Sequence, residues 1–133
     1  MSGFTLQRLG LVMEPEPGNP QEIEGVLNPA AARGPDGELY LFPRVVARGN
    51  YSRIGIARVR FNDAGDPAGV ERLGIALEPE AEYERRPNGG GGCEDPRMAL
   101  ARRAGPSIAR RHASTVSRSR LCPRRTRRLK FPT

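Results

Sequence analysis

The sequence predicts an all-β fold, and three observations carry that expectation. Short apolar stretches with a period of two recur between residues 26 and 77. Clusters of turn-forming residues separate them: Gly34-Pro35-Asp36-Gly37, Arg48-Gly49-Asn50-Tyr51 and Asn62-Asp63-Ala64-Gly65-Asp66-Pro67. Nothing in the same region shows the 3.6-residue apolar period of a helix. Four short strands in about 50 residues, joined by tight turns, make the size of one four-stranded propeller blade.

Residues 1–24 carry Leu6, Leu9, Leu11 and Val12, then Glu14-Pro15-Glu16-Pro17-Gly18-Asn19-Pro20. The prolines fix φ and remove backbone donors, so this segment reads as an extended lead-in. Val26 to Ala32 is a short apolar run interrupted by Asn28-Pro29. Leu39-Tyr40-Leu41-Phe42 with Val45-Val46 reads as a buried strand, and Pro43, which cannot donate to a ladder, places it at an edge or beside a bulge. From Ser52 to Phe61 the odd positions Gly55, Ala57, Val59 and Phe61 are apolar, while the even ones pass from Ile54 and Ile56 to Arg58 and Arg60. That strand is expected to be covered on both faces at its start and to emerge into water at its end. In Val70 to Leu77 the alternation puts Leu73, Ile75 and Leu77 on one face. Gly89 to Gly92 is followed by no Lys-Ser/Thr and no helix start, so it reads as a flexible connection and not a phosphate loop.

The 133 residues suffice for one modest domain, and their formal charge is +7. That charge is unevenly placed. Residues 1–97 hold 11 basic and 15 acidic side chains, a net of −4, whereas residues 98–133 hold 11 basic and no acidic ones, a net of +11. The chain therefore divides into the lead-in 1–24, a β region 25–97 and an Arg-rich tail 98–133. The tail's apolar residues follow no period, and a disordered segment is expected there. Three readings of it stand side by side: a basic arm for nucleic acid, an amphipathic membrane-surface helix, or out-of-frame translation of a GC-rich gene. Pro106, Pro123 and the missing apolar face argue against the second. The abrupt onset directly after Arg97 favours the third.

Cys93 and Cys122 stand at a spacing that suits neither a disulfide framework nor a zinc site, and His112 has no partner at a motif spacing. No metal or organic cofactor is expected. The absence of an apolar leader and of any 18-residue apolar run predicts a soluble cytoplasmic protein without a membrane partner. The sequence carries no signature of an oligomeric state.

The chemistry-bearing residues gather at two places. Gly92-Cys93-Glu94-Asp95-Pro96-Arg97 offers two carboxylates and, in Arg97, a bidentate partner for a carboxylate or a sugar hydroxyl. Glycosidic cleavage needs one protonated carboxyl against the leaving oxygen, and Pro96 is expected to hold Asp95 extended. The competing reading is a solvated acidic turn behind a glycine loop. Asn28, Arg44, Asn50, Tyr51 and Ser52 lie at strand ends and supply amide, guanidinium, hydroxyl and aromatic groups of the kind that bind sugars. Turn chemistry explains Asn50 equally well. A weak repeat links the two places: Gly25-Val26-Leu27-Asn28-Pro29 and Gly92-Cys93-Glu94-Asp95-Pro96 share G-x-x-[N/D]-P at a distance of 67 residues. Were each copy to open a blade, Asn28 and Asp95 would take matching positions on neighbouring inner strands.

Four blocks together resemble the opening of glycoside hydrolase family 130, which contains the β-mannoside phosphorylases and related mannosidases. They are Asn28-Pro29, Leu41-Phe42-Pro43-Arg44-Val45, Tyr51-Ser52-Arg53-Ile54-Gly55-Ile56-Ala57 and Gly92-Cys93-Glu94-Asp95-Pro96-Arg97. The order and rough spacing are the family's, over about residues 20–97. The resemblance implies the first blade and the start of the second of a five-bladed β-propeller, with the active site in the central funnel. It implies that Asp95 is the general acid, its proton reaching the glycosidic oxygen through a sugar hydroxyl, and that Asn28 and Arg44 contact the mannose. Ser52 falls in a matching block. An oligosaccharide is the implied substrate, and inorganic phosphate the co-substrate if the reaction is phosphorolysis.

The chain departs from the family after Arg97, where members continue into a hydrophobic strand, further blades and their phosphate-holding groups. Nothing in residues 98–133 matches a phosphate-binding position. The expectation is a truncated family member with a marginal core, prone to aggregate and enzymatically inactive on its own. The alternative function is a small nucleic-acid-binding protein acting through its Arg-rich tail, with binding otherwise expected to be non-specific.

Overall fold

Aromatic and β-branched residues on both faces of short segments, with Asx and glycine turns between them, build a four-stranded antiparallel meander. The computed structural model describes residues 3–86, 89–101, 113–117 and 127–128. Its first sheet runs β1 (Gly25–Arg33), β2 (Leu39–Ala47), β3 (Tyr51–Phe61) and β4 (Pro67–Leu77), neighbours in sequence being neighbours in space. The fold is all-β, as expected. Among the described residues the only helical element is a single 3-10 turn at Glu82–Glu84.

Side chains close the turns. Asp36 Oδ1 accepts from the Glu38 N–H at 3.1 Å, and Asn62 Oδ1 accepts from the Ala64 and Asp66 N–H groups at 3.0 and 2.9 Å. Such bonds offer the backbone an alternative to the ladder, which is why the strands stop there.

One face of the sheet carries the core: Tyr40 and Phe42 from β2, Ile54 and Ile56 from β3, Leu77 from β4, and Cys93 from beyond the sheet. Tyr40 and Phe42 are fully buried. β3 begins buried and ends exposed at Arg60 and Phe61, as its sequence predicts. The lead-in contains no helix, but it does more than extend. It turns between Pro17 and Glu24 and covers the opposite face, where Met13, Gln21 and Glu22 meet Pro43, Val45, Gly55, Arg72 and Ile75. Arg72 grips it there. Its Nε and Nη2 donate to the two carboxylate oxygens of Glu22 at 3.0 and 2.9 Å, and Nη2 also donates to Glu14 O.

Of the two expectations for Pro43, an edge or a bulge, the structure has the bulge, since β2 lies between β1 and β3. The irregularity sits in its partner: Leu27 pairs with Arg44 and Ala30 with Phe42, so Asn28 and Pro29 together oppose Pro43. A bulge built from two residues that disfavour regular pairing meets a third residue that lacks a donor. One expectation about strands is corrected: Leu73, Ile75 and Leu77 do not share a face. Register shifts between Ile54 and Gly55 and between Ile56 and Ala57 break the alternation of β4 around Gly74, whose φ is +106°. Leu73 and Leu77 pack with the core, while Ile75 lines the pocket under the lead-in.

A second sheet follows in the order β5 (Arg97–Ala101), β6 (Ala113–Ser117), β7 (Arg127–Arg128), with β5 against β1. Regular structure thus occurs within the stretch expected to be disordered. The remainder of that tail, with His112 and Cys122, lies outside the described residues.

Candidate functional site

The site forms where the glycine run meets the start of β3. The Ser52 N–H donates to Gly91 O at 3.0 Å and the Cys93 N–H to Ser52 O at 2.9 Å, a parallel bridge between Ser52 and Gly92. The Gly92 N–H donates to Glu84 O at 2.8 Å. A β-carbon at Gly92 would lie 2.1 Å from Ser52 O, so only glycine permits the approach. The run expected to be a flexible connection is therefore a docked segment, and its glycines serve contact with β3. Docking buries Cys93 in the core and brings Glu94 and Asp95 to the end of the sheet where β1, β2 and β3 meet.

Arg44 is the centre of one half of the site. Its Nε donates to Ser52 Oγ at 2.8 Å, and its Nη2 donates to both Asn50 Oδ1 and Glu94 Oε1 at 2.9 Å. The Arg44–Glu94 pair is partly buried, with side chains 13% and 29% exposed. Asn50 holds its place because the Glu24 carboxylate accepts from the Gly49 and Asn50 N–H groups at 2.7 and 2.8 Å. Three of the five guanidinium N–H groups are thus used within the protein. Arg44 Nη1 has no partner among the described residues.

The other half joins the two ends of the repeat. Asn28 Nδ2 donates to Asp95 Oδ1 at 3.3 Å, across 67 residues of sequence. Both residues have φ of 45° and both precede a proline. The expectation that Pro96 holds Asp95 extended is therefore corrected. Asp95 takes the left-handed side of φ, which short polar side chains tolerate better than others. Asn28 lies in β1, whereas Asp95 stands two residues ahead of β5.

A closed circuit results. Arg44 is bonded to Glu94, Glu94 adjoins Asp95, Asp95 is bonded to Asn28, and Asn28 follows Leu27, the cross-strand partner of Arg44. Of the residues expected to form a site, Asn28, Arg44, Ser52 and Asp95 come together. Arg97 does not join them: it is exposed, and its Nη1 donates to Pro96 O at 3.3 Å. The Tyr51 ring is also engaged, with the Arg53 guanidinium 4.9 Å from its centroid. Two members were legible only as types. Glu94 read as half of a carboxylate pair, and Asn50 as a turn residue. The signal for Asn50 was its place after Gly49 in a turn, where its φ of 55° is one that asparagine tolerates.

The arrangement leaves a guanidinium N–H group of Arg44 and a carboxylate oxygen, Asp95 Oδ2, each without a partner among the described residues. A donor and an acceptor held in one circuit suit a hydroxylated ligand. Among the described residues no group of His, Cys, Asp and Glu is arranged to hold a metal ion, and no helix is long and apolar enough to cross a membrane. Comparison with protein-family models, with curated proteins and with solved structures finds no match.

Proposed function

We propose that residues 25–97 carry the sugar-holding and acid-donating part of a β-mannoside-cleaving site of the glycoside hydrolase family 130 kind, on the first blade and the start of the second of a five-bladed propeller. The observation that carries the reading is the hydrogen bond between Asn28 and Asp95, with Arg44 held beside it by Glu94 and Ser52. Residues chosen on the resemblance, from four separate blocks, pair across the sequence: Asn28 with Asp95 and Arg44 with Ser52. The four-stranded meander of β1 to β4 supports the blade, since it has the topology of one.

In this reading Asp95 is the general acid, delivering its proton to the glycosidic oxygen through a sugar hydroxyl. Asn28 and Arg44 hold the mannose, and Ser52 orients Arg44. The attacking group, phosphate or water, reaches the anomeric carbon from the opposite side and inverts it. No described residue is assigned to phosphate, so the choice between phosphate and water as attacking group is not made by the described residues.

The test is a titration of the isotope-labelled chain with methyl β-mannoside, followed through the side-chain resonances of Asn28 and Arg44. Saturable shifts are expected, weakened at least about tenfold by Arg44→Ala, a loss of about 1.4 kcal/mol. Absence of any saturable shift would remove the assignment. In a longer polypeptide containing this stretch and cleaving β-mannosides, Asp95→Asn should abolish release of mannose or mannose-1-phosphate. Retained activity in that variant would sink the role given to Asp95.

A further inference from the structure

The charge arithmetic of the site decides which ligands it accepts. Arg44 is the one cation in the circuit, and its carboxylate partner is Glu94 at 2.9 Å. An unaccompanied arginine at a cleft is a strong anion site, because its fork matches phosphate and carboxylate. Here Glu94 occupies one arm of that fork and cancels its charge, so that the pair is neutral as a unit.

We infer that Glu94 is a charge filter: paired with Arg44, it confines the site to neutral polyhydroxyl ligands and excludes inorganic phosphate. The inference rests on the sugar-binding reading above for the identity of the neutral ligand, but its anion arm stands independently. Arg44 Nη1 still donates to a hydroxyl, because hydrogen bonding needs direction and not net charge. An anion at the same position would approach the Glu94 carboxylate in a partly buried setting, where like-charge repulsion is poorly screened. Glu94 is a positioning residue in this scheme. It also fixes the plane of the guanidinium, jointly with Asn50 and Ser52. It follows that phosphate, where it serves as the attacking group, binds outside the circuit of Asn28, Arg44, Glu94 and Asp95.

The experiment titrates the whole labelled chain, wild type and Glu94→Gln, with sodium phosphate against sodium chloride of equal ionic strength, reading the Arg44 Nε–H resonance. Glutamine keeps an acceptor for Arg44 and removes the charge. In the wild type phosphate is expected to leave Arg44 unmoved beyond the chloride control. In Glu94→Gln it is expected to shift Arg44 saturably and at least about tenfold more tightly. Saturable phosphate binding at Arg44 in the wild type overturns the proposal, as does an unchanged phosphate response in Glu94→Gln. Should Glu94→Gln not fold, the wild-type titration still decides, because phosphate binding there is sufficient to refute the filter. A parallel titration with methyl β-mannoside separates the two readings: failure of the sugar to bind removes the proposed function and leaves the phosphate arms to be judged alone.

Discussion

Asn28 and Asp95, 67 residues apart, are joined by a hydrogen bond of 3.3 Å, and both have φ of 45° immediately before a proline. The two halves of a short repeat thus meet through the non-glycine position at which each takes a positive φ. A β-carbon without a local polar partner is disfavoured at such φ. Asp95→Gly is therefore expected to be more stable than Asp95→Ala by about 1 kcal/mol, after allowing for the extra freedom of glycine in the unfolded chain. Asp95→Asn, which keeps the acceptor oxygen, should lie close to the wild type. Urea midpoints for the three variants provide the check, and equal stability of the alanine and glycine variants would show that the conformation is not required.

Gly92 admits the docked segment to β3. A methyl group there meets the Ser52 backbone at 2.1 and 2.6 Å, in a region where φ is +113°. Gly92→Ala should cost about 2–4 kcal/mol through displaced backbone. Hydrogen exchange should report it as lost protection at the Ser52 and Cys93 N–H groups. Gly90→Ala is the control: the space around Gly90 is open, so only its φ of +70° opposes the change, and a smaller effect is expected.

Stability should fall in acid through two carboxylates. Burial opposes ionisation of Glu22, but the Arg72 guanidinium and the Glu16 N–H outweigh it and hold its pKa below the ordinary 4.5. The Tyr40 hydroxyl, bonded at 2.6 Å, holds Asp36 below its ordinary 3.8. Folded values below unfolded ones mean that the stabilisation is complete above the ordinary values and is lost as pH falls through the lower, folded ones. Urea midpoints should be level near neutrality and decline from about pH 5 downward, less steeply in Glu22→Gln. An identical acid profile in that variant would remove Glu22 from the account. Arg72→Ala, which leaves Glu22 buried without its partner, should cost about 3 kcal/mol at neutral pH.

The core face should be unequal to the strand ends. Phe42 is fully buried at the centre of the cluster, and Phe42→Ala is expected to cost about 3–5 kcal/mol. Phe61, at the exposed end of β3, is 45% accessible, and Phe61→Ala should change stability by no more than about 0.5 kcal/mol. Comparable losses at the two positions would place the core elsewhere.

The sequence by itself determined the local structure. Period-two patterning in residues 26–77 marked four strands, Asx and glycine clusters marked their turns, and the passage from Ile54 to Arg60 marked where β3 leaves the core. These are properties of a few consecutive residues, set by φ and by alternation. The tertiary structure decided what depends on partners distant in sequence. Pro43 called for an edge or a bulge, but the choice between them, and the bulge's place at Asn28-Pro29, needed β1, because a bulge is a property of two strands. The bulges around Gly74 undid a one-face alternation for the same reason. In the site, the residue types at positions 28, 44, 52 and 95 were legible, and so was Glu94 as one of a pair. That Glu94 neutralises Arg44 while Asp95 turns to Asn28 follows only from the docking of Gly91 and Gly92 against Ser52, a contact that glycine permits by having no side chain.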